Sequence, residues 1–278
     1  MLKIGCPDAR GIVAAVSGFL AGHGANIVDA QQHTDKSDDA FFMRVEFELA
    51  GMDIAQADVV PALQLVADRF GMNWGISWSD RIPVVGIMVS QLEHCLIDLL
   101  ARHRMGELQV RIPIIISNHA ELASIAAAFG IPFACIPVTA GEKEAAEARA
   151  IEILKKANCD LVVLARYMQI LSPTFLSAYP MRIINIHHGF LPAFAGARAY
   201  NQAHERGVKL IGATSYYVTD ILDDGPIIQD VIRVSHRDSV EDLVRKGRDL
   251  ERLVLARAVR AHVEDRIVVH GTRTVVFE

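Results

Sequence analysis

The residue types best suited to catalysis occur in two short segments in the second half of the chain. Asn185 and His187 stand two apart in the sequence NIHHGFLP, so in an extended strand their side chains point to the same face. There, a side-chain amide and an imidazole can both donate hydrogen bonds to an oxygen that gains negative charge during a reaction. The second segment, TDILDDGP, places Asp223 in a loop before Gly-Pro. A carboxylate near His187 would favour the protonated imidazole and fix its orientation, making His187 a better proton donor.

Each of these residues also has an ordinary structural explanation. Asn185 is of a type that caps turns, His187 could be a hydrogen-bonded core histidine, and Asp223 could simply suit a turn. A metal site shared by His187 and His188 is disfavoured, because adjacent residues in an extended chain point to opposite faces. Spacing alone therefore leaves the catalytic and structural interpretations open, and we predict no metal site.

Other common chemistries lack their sequence motifs. The chain contains no GxGxxG after a strand, no GxxxxGK[ST], no GxSxG and no HExxH, which disfavours nicotinamide enzymes, P-loop nucleotidases, serine esterases and zincins. The helix predicted over about Val240–Val263 carries many arginines, but Asp242, Asp249 and Glu251 are interspersed among them. That mixture is typical of a solvated helix face rather than a nucleic-acid surface.

Composition points to an ordinary globular protein. The 278 residues suffice for about two domains of roughly 150 residues each. The hydrophobic fraction of 51% and the charged fraction of 22% differ from those of a disordered chain. A net charge of −5 gives no overall positive field, which argues against nucleic acid and anionic membranes as partners. A small-molecule partner is therefore expected.

The expected location is the cytoplasm. The four cysteines are scattered and form neither a CxxC pair nor a framework of close spacings. The first residues, MLKIGCPDARG, lack the features of a secretory signal.

The elements of residues 1–80 follow the order strand, helix, strand, strand, helix, strand, which predicts a ferredoxin-like βαββαβ domain. Met43, Val45 and Phe47 alternate with charged residues, the period-2 pattern of a half-buried strand. The polar segment SDRIP (Ser79–Pro83) then separates this unit from a different pattern. We therefore predict a first domain over 1–80 and a second over 84–278.

Residues 84–278 alternate short apolar strands with helices, which predicts an α/β domain with a doubly wound, mostly parallel sheet. Ligands of such sheets bind beyond the carboxyl ends of the strands, so the residues after Ile184 and Val218 are the strongest candidates. The uncharged run Leu122–Gly141 reaches the length of a membrane span, but one glycine and two prolines interrupt it. It is predicted to be a buried helix, started by Asn118 and Glu121, followed by a buried strand.

Several segments together resemble a known family. In chain order they are LARYMQILSP (Leu164–Pro173), NIHHGFLPAFAGARAY (Asn185–Tyr200) and VTDILDDGPIIQ (Val218–Gln229). They resemble the formyltetrahydrofolate-dependent formyltransferase fold and, within it, most closely the formyltetrahydrofolate deformylases. Cys6–His33 resembles the ACT domain with which these deformylases begin.

The resemblance implies hydrolysis of 10-formyltetrahydrofolate to formate and tetrahydrofolate, with no cofactor besides this substrate. It makes Asn185, His187 and Asp223 the catalytic residues. Asp223 would position or deprotonate water, Asn185 and His187 would stabilise the oxyanion, and His187 would help to protonate the departing N10. The implied folate pocket consists of Leu164, Tyr167, Met168, Gln169, Leu171, Val218, Thr219 and Asp220.

The acceptor of the formyl group depends on the segment after the first strand of the second domain. Related transferases acting on glycinamide ribonucleotide have a Gly- and Ser-rich loop there, whose backbone amides hold the phosphate. Here Val89–Cys95 lacks those glycines and contains Glu93, which favours water as the acceptor. A formyltransferase to another amine and a non-catalytic folate or amino-acid sensor remain alternatives.

Three positions depart from the family pattern. Gly189 stands where a serine is usual, Ala9-Arg10 replace a common Arg-Pro, and Tyr216 stands where related enzymes often have histidine. A phenol can hydrogen-bond a carboxylate but stays neutral at pH 7, so it cannot act on Asp223 as an imidazolium would. A changed pH dependence, rate or acceptor would follow.

The ACT resemblance implies an amino-acid effector and assembly as a homodimer or homotetramer. Asp8, Gly11 and Asn26 are the candidate effector residues, since glycine lets the backbone approach a ligand. Whether the reaction supplies formate for purine biosynthesis or regenerates tetrahydrofolate is left open.

Overall fold

The computed structural model describes residues 1–139, 141–194, 196, 198–223 and 226–278. These residues form two compact units. The first unit comprises Met1–Arg81 together with Glu264–Glu278, and the second comprises Ile82–Val263.

The first unit has the predicted ferredoxin-like order. Its elements begin with β1 (Leu2–Pro7), α1 (Ile12–Gly22), β2 (Asn26–Asp35), β3 (Ala40–Glu48), α2 (Gln56–Phe70) and β4 (Asn73–Ile76). The sheet order is β2-β3-β1-β4, and the three pairings are antiparallel. Phe41, Met43 and Val45 of β3 lie in one apolar cluster with residues of α1 and α2. The ferredoxin-like βαββαβ order predicted from the sequence is therefore confirmed.

The second unit is built from alternating strands and helices. They are β5 (Val85–Val89), α3 (His94–Arg104), β6 (Ile115–Ser117), α4 (Ala123–Ala128), β7 (Phe133–Cys135), α5 (Lys143–Lys156), β8 (Leu161–Leu164), α6 (Pro173–Ala178), β9 (Ile183–His187), α7 (Ala199–Glu205), β10 (Leu210–Tyr217), β11 (Pro226–Arg233) and α8 (Val240–Val263). Within the described parts of the chain, no helix combines the length and apolarity needed to cross a membrane.

The sheet of the second unit has the order β11-β10-β9-β8-β5-β6-β7. Strands β7, β6, β5, β8 and β9 are parallel, whereas β10 and β11 extend the sheet antiparallel. All residues of β5 and β8 are buried, as expected for strands covered on both faces. The predicted doubly wound, mostly parallel sheet is confirmed, and its strand order reverses between β5 and β8.

The prediction of a buried helix and strand over Leu122–Gly141 is wrong in its degree of burial. Ala126 is the buried residue of α4, and β7 is half-buried because it forms the edge of the sheet. Asn118 does not cap the helix; its Oδ1 accepts a hydrogen bond from Ser90 Oγ at 2.7 Å. Ala140 lies outside the described residues.

The last residues form a hairpin of β12 (Ile267–His270) and β13 (Arg273–Val276), which belongs to the first unit. Phe277 packs with Ala40 and Phe42 on the face of the first sheet opposite the helices, and Ser77 Oγ donates to Asp265. The second domain was predicted to run to residue 278, so its last fifteen residues need correction. The hairpin also covers a β3 face that the alternation pattern had assigned to solvent.

Candidate active site

Asn185 and His187 occupy the carboxyl end of β9, where two neighbouring strands flank them. Leu164, the last residue of β8, is in register with Asn185. On the other side, Tyr216 of β10 is in register with Asn185, and Thr214 with His187. The period-2 geometry of β9 places the Asn185 and His187 side chains on one face. This is the edge of the sheet at which a ligand is expected.

Four side chains at this edge form one polar network. Asn185 Nδ2 lies 2.8 Å from the Tyr216 hydroxyl, which in turn donates to Asp223 Oδ1 at 2.6 Å. The other carboxylate oxygen of Asp223 lies 3.6 Å from His187 Nδ1. Asp223 reaches the network from the loop between β10 and β11, with φ of 57°, a left-handed conformation that aspartate tolerates better than most residues. The structure thus brings the three predicted catalytic residues together, with Tyr216 between two of them.

His187 is buried, and its ring is fixed by the backbone of the following loop. Its Nε2 lies 2.9 Å from the carbonyl oxygen of Phe194, and since a carbonyl can only accept, Nε2 carries a proton. Nδ1 is then the ring atom left to face Asp223 and a substrate. Nδ1 can donate a hydrogen bond only when the ring is an imidazolium, because Nε2 is already protonated.

A buried carboxylate, Glu251 of α8, holds a second network. It accepts from the Tyr200 hydroxyl at 2.6 Å, lies 2.9 Å from His94 Nε2, and lies 3.3 Å from Arg166 Nε. Burial alone would raise the pKa of Glu251, but its contacts with His94, Arg166 and Tyr200 outweigh this effect and hold the pKa below its ordinary value. The sequence placed Glu251 on a solvated face, which is wrong: its side chain is 1% exposed.

Glu251, His94 and Cys95 are also the one group of described side chains close enough to bind a metal ion together. The carboxylate oxygens are already engaged by Tyr200 and His94, and the guanidinium of Arg166 stands beside them. Burial keeps the pKa of the Cys95 thiol well above its usual value, which disfavours the thiolate that a metal requires. This donor set suits a closed ion-pair network better than a metal.

Comparison with known proteins shows to which family the chain belongs. A formyl transferase family model matches residues 84–259, and an ACT domain model matches residues 1–57. The chain is 52% identical, over 99% of its length and 97% of the relative's, to a formyltetrahydrofolate deformylase from Synechocystis sp.. The chain belongs to the formyltetrahydrofolate deformylase family. A relative of the same name from Bacillus subtilis is 48% identical over 99% of this chain and 93% of that protein.

Solved structures agree with this membership. A crystal structure of a formyltetrahydrofolate deformylase from Pseudomonas syringae pv. tomato has a TM-score of 0.96 and 48% identity, covering 100% of this chain and 93% of that chain. A glycinamide ribonucleotide transformylase 1 from Symbiobacterium toebii has a TM-score of 0.69 and 32% identity, covering 73% of this chain and 98% of that chain. This chain therefore shares part of its fold with that transformylase.

The residues predicted to line a folate pocket differ in exposure. Leu164, Tyr167 and Leu171 are buried in one apolar cluster, and Val218 packs against that cluster. Burial raises the pKa of Tyr167 to about 12. The remaining members are half-buried or exposed: Met168, Gln169, Thr219 and Asp220. A ligand at this position would therefore contact the second group directly, while the first group supports the segments that carry it.

Ser90 was not among the predicted site residues. Its hydrogen bonds link the end of β5 to the segment that follows β8. Its hydroxyl accepts from the backbone N–H of Met168 at 3.0 Å and donates to Asn118. The Ser90 N–H donates to the carbonyl of Arg166, whose φ is 64°. A serine directly after the Val-rich strand β5 offers a weak sequence signal for these hydrogen bonds.

The candidate effector residues are only partly assembled. Asp8 and Gly11 line a cavity of about 540 Å³ in the first unit, together with Gln32 and Thr34. Gly11 has a φ of 93° at the start of α1, a backbone conformation that favours glycine. Asn26 is not among the lining residues; its Nδ2 donates to Glu48 Oε2 at 2.9 Å. The effector site stays a prediction.

Gly189 fits a narrow space beside His187. A Cβ added there would lie 2.5 Å from the Phe194 carbonyl oxygen and 3.0 Å from His187 Nε2. A serine at this position would therefore require the 190–194 loop to move. Glycine at position 189, in place of the usual serine, therefore leaves room for the contact between His187 Nε2 and the Phe194 carbonyl that fixes the His187 ring.

Proposed function

We propose that this protein hydrolyses 10-formyltetrahydrofolate to formate and tetrahydrofolate. The observation that carries the proposal is the network of Asn185, Tyr216, Asp223 and His187 at the ligand-binding edge of the sheet. It occurs in a chain that is 52% identical to a relative named for this activity. An amide and an imidazole in one site can stabilise an oxyanion, and a carboxylate can act as a general base, which together can drive hydrolysis of an amide-like bond.

In the proposed mechanism, Asp223 takes a proton from water as its oxygen attacks the formyl carbon. Of the two carboxylate oxygens, Oδ2 is the available base, because Oδ1 already accepts from Tyr216. The negative charge that develops on the formyl oxygen is stabilised by Asn185 Nδ2–H and by Nδ1–H of a protonated His187. When the C–N10 bond breaks, N10 takes the proton of His187 Nδ1, and the formic acid that forms keeps the second proton of the water. The proton on Asp223 Oδ2 then passes to His187 Nδ1, 3.6 Å away, which restores both groups. Formic acid loses its proton to solvent and leaves as formate. The reaction consumes one water and uses no cofactor besides the folate substrate.

Electrostatics at the start of α3 favour water over a phosphorylated amine as the acceptor. Glu93 is exposed directly before His94, the first residue of α3. Its carboxylate would repel the phosphate of an acceptor such as glycinamide ribonucleotide. An amine without a phosphate remains the second candidate acceptor, and a folate or amino-acid sensor the third alternative.

The test is to incubate purified protein with 10-formyltetrahydrofolate and no amine, and to measure formate and tetrahydrofolate together. Equal amounts of both products, lost in Asp223→Asn, are expected. Asp249→Asn, the same substitution on the exposed face of α8, should retain the activity. Formate no higher than in a buffer control would overturn the proposal; fast turnover only with an added amine would favour the transferase, and folate binding without turnover the sensor.

Three statements about cellular context stay predictions. They are a cytoplasmic location, assembly as a homodimer or homotetramer with an amino-acid effector at the ACT domain, and a role either in purine biosynthesis or in regenerating tetrahydrofolate.

A further inference from the structure

The Tyr216 side chain lies between two of the candidate catalytic residues and contacts both of them. Its side chain is buried, at 2% exposure, and it lies directly across the β9–β10 pair from Asn185. Its hydroxyl oxygen is 2.8 Å from Asn185 Nδ2 and 2.6 Å from Asp223 Oδ1. One hydroxyl therefore contacts both the amide and the carboxylate that the proposed hydrolysis needs.

The direction of these hydrogen bonds is fixed by chemistry. An ionised carboxylate can only accept, so the Tyr216 proton is donated to Asp223. The phenolic oxygen can then only accept, so the Asn185 amide must present its NH₂ group rather than its carbonyl oxygen. A flipped amide would set two oxygens against each other without a proton between them. Tyr216 thus selects one of the two amide orientations and leaves one Asn185 N–H free to donate elsewhere.

The same hydroxyl also separates the roles of the two Asp223 oxygens. Oδ1 is occupied by Tyr216, whereas Oδ2 is the oxygen that faces His187 Nδ1 at 3.6 Å. Burial, together with the hydrogen bond to Asp223, raises the pKa of the Tyr216 phenol above its usual value. The phenol therefore stays a proton donor throughout the neutral pH range.

We propose that Tyr216 is a positioning residue for the hydrolysis proposed above: through its hydroxyl it orients the Asn185 amide toward the developing oxyanion and leaves Asp223 Oδ2 for water. The proposal rests on that proposed function. Tyr216 itself takes no proton from the substrate and gives none to it.

The first experiment compares Tyr216→Phe with Tyr217→Phe in the formate assay with 10-formyltetrahydrofolate. Tyr217 is the next residue of β10, is also buried, and has its hydroxyl bonded to His262, so the same atom is removed on the other face of the strand. We expect kcat to fall by about 10²-fold in Tyr216→Phe, with KM nearly unchanged, because misplaced catalytic groups cost about that much. Tyr217→Phe should keep the wild-type rate.

A second comparison separates positioning from a structural role. If Tyr216 acts through Asn185, the double variant Asn185→Ala/Tyr216→Phe should lose much less than the product of the two single losses. Tyr216→His retains a donor and an acceptor while its ring is neutral, but it has two donors when protonated. Its activity relative to wild type should therefore rise above that of Tyr216→Phe and change between about pH 5 and 8.

The outcomes are distinguishable. Wild-type protein that releases no formate would overturn the proposed function and this inference with it. Active wild-type protein with equal rates for Tyr216→Phe and Tyr217→Phe would overturn only the positioning role. Multiplicative losses in the double variant would overturn the orienting of the Asn185 amide by Tyr216. If the ratio of Tyr216→His to wild-type activity is also independent of pH, Tyr216 has a structural role alone. Melting temperatures of the variants show whether a loss of activity reflects unfolding. If Tyr216→Phe is unfolded, the activity of Tyr216→His decides whether Tyr216 is a positioning residue.

Discussion

The Asn185 amide has two N–H groups, and the Tyr216 hydroxyl takes one of them. We expect Asn185→Ala to lower kcat by about 10²–10³, roughly 3–4 kcal/mol, because one donor to the oxyanion is lost. KM should change little if the bond strengthens only in the transition state. Initial rates of formate release at saturating substrate measure the effect, with Asn201→Ala, at an exposed position of α7, as the control. A near-normal kcat would remove Asn185 from the mechanism.

For individual residues, the sequence predicted which side chains lie close together but not which hydrogen bonds their atoms make. The two-residue spacing of Asn185 and His187 correctly placed them on one strand face, since a strand alternates strictly. The structural alternative for His187 also holds in part, because its Nε2 is bonded to the Phe194 carbonyl. That contact depends on the path of the 190–194 loop, which no local pattern encodes. The segment before Gly-Pro predicted a loop carboxylate that could act on His187, and the resemblance identified it as Asp223.

Helix α8 contains a glycine where helix propensity favours alanine, and packing explains it. A Cβ on Gly247 would collide with the Tyr200 phenol, which donates to Glu251. Gly247→Ala should therefore destabilise the protein by about 1–3 kcal/mol, as overpacking does, despite the better helix propensity of alanine. Calorimetric melting of the full chain measures this change.

Gly18→Ala in α1 is the matched control, because nothing lies within 4 Å of a Cβ there. That substitution should be neutral or stabilise the chain by up to about 1 kcal/mol. A Gly247→Ala protein that melts at or above the wild-type temperature would show that Tyr200 does not need this space.

Elements whose burial follows local periodicity were predicted well, and those decided by distant neighbours were not. The continuous apolar strands β5 and β8 could only be central. Glu251 was assigned to solvent because charged neighbours surround it in sequence, yet His94 and Arg166, both far away along the chain, compensate its burial. The Ala-rich α4 was predicted to be buried, but it packs beside the edge strand β7, and Ala126 is its buried residue.

For the whole molecule, two units could be predicted because their strand patterns differ on either side of SDRIP. The sequence could not predict that Glu264–Glu278 belong to the first unit, because this packing joins residues separated by almost the whole chain. Once this hairpin is present, Phe42 and Phe277 are buried together at 2% and 5% exposure. The alternating pattern of β3 alone indicated one solvated face, because it carries no information about what covers that face.

Removing the Phe277 ring tests this return of the chain. We expect Phe277→Ala to lower the free energy of unfolding of the first unit by about 3–5 kcal/mol, because it leaves a cavity against Phe42. Both tryptophans, Trp74 and Trp78, lie in the first unit, so their fluorescence during urea unfolding reports on that unit. Leu65→Ala, at a side chain 76% exposed on α2, should cost less than about 0.5 kcal/mol. Equal urea midpoints for the two variants would mean that the hairpin adds no stability to the sheet it covers.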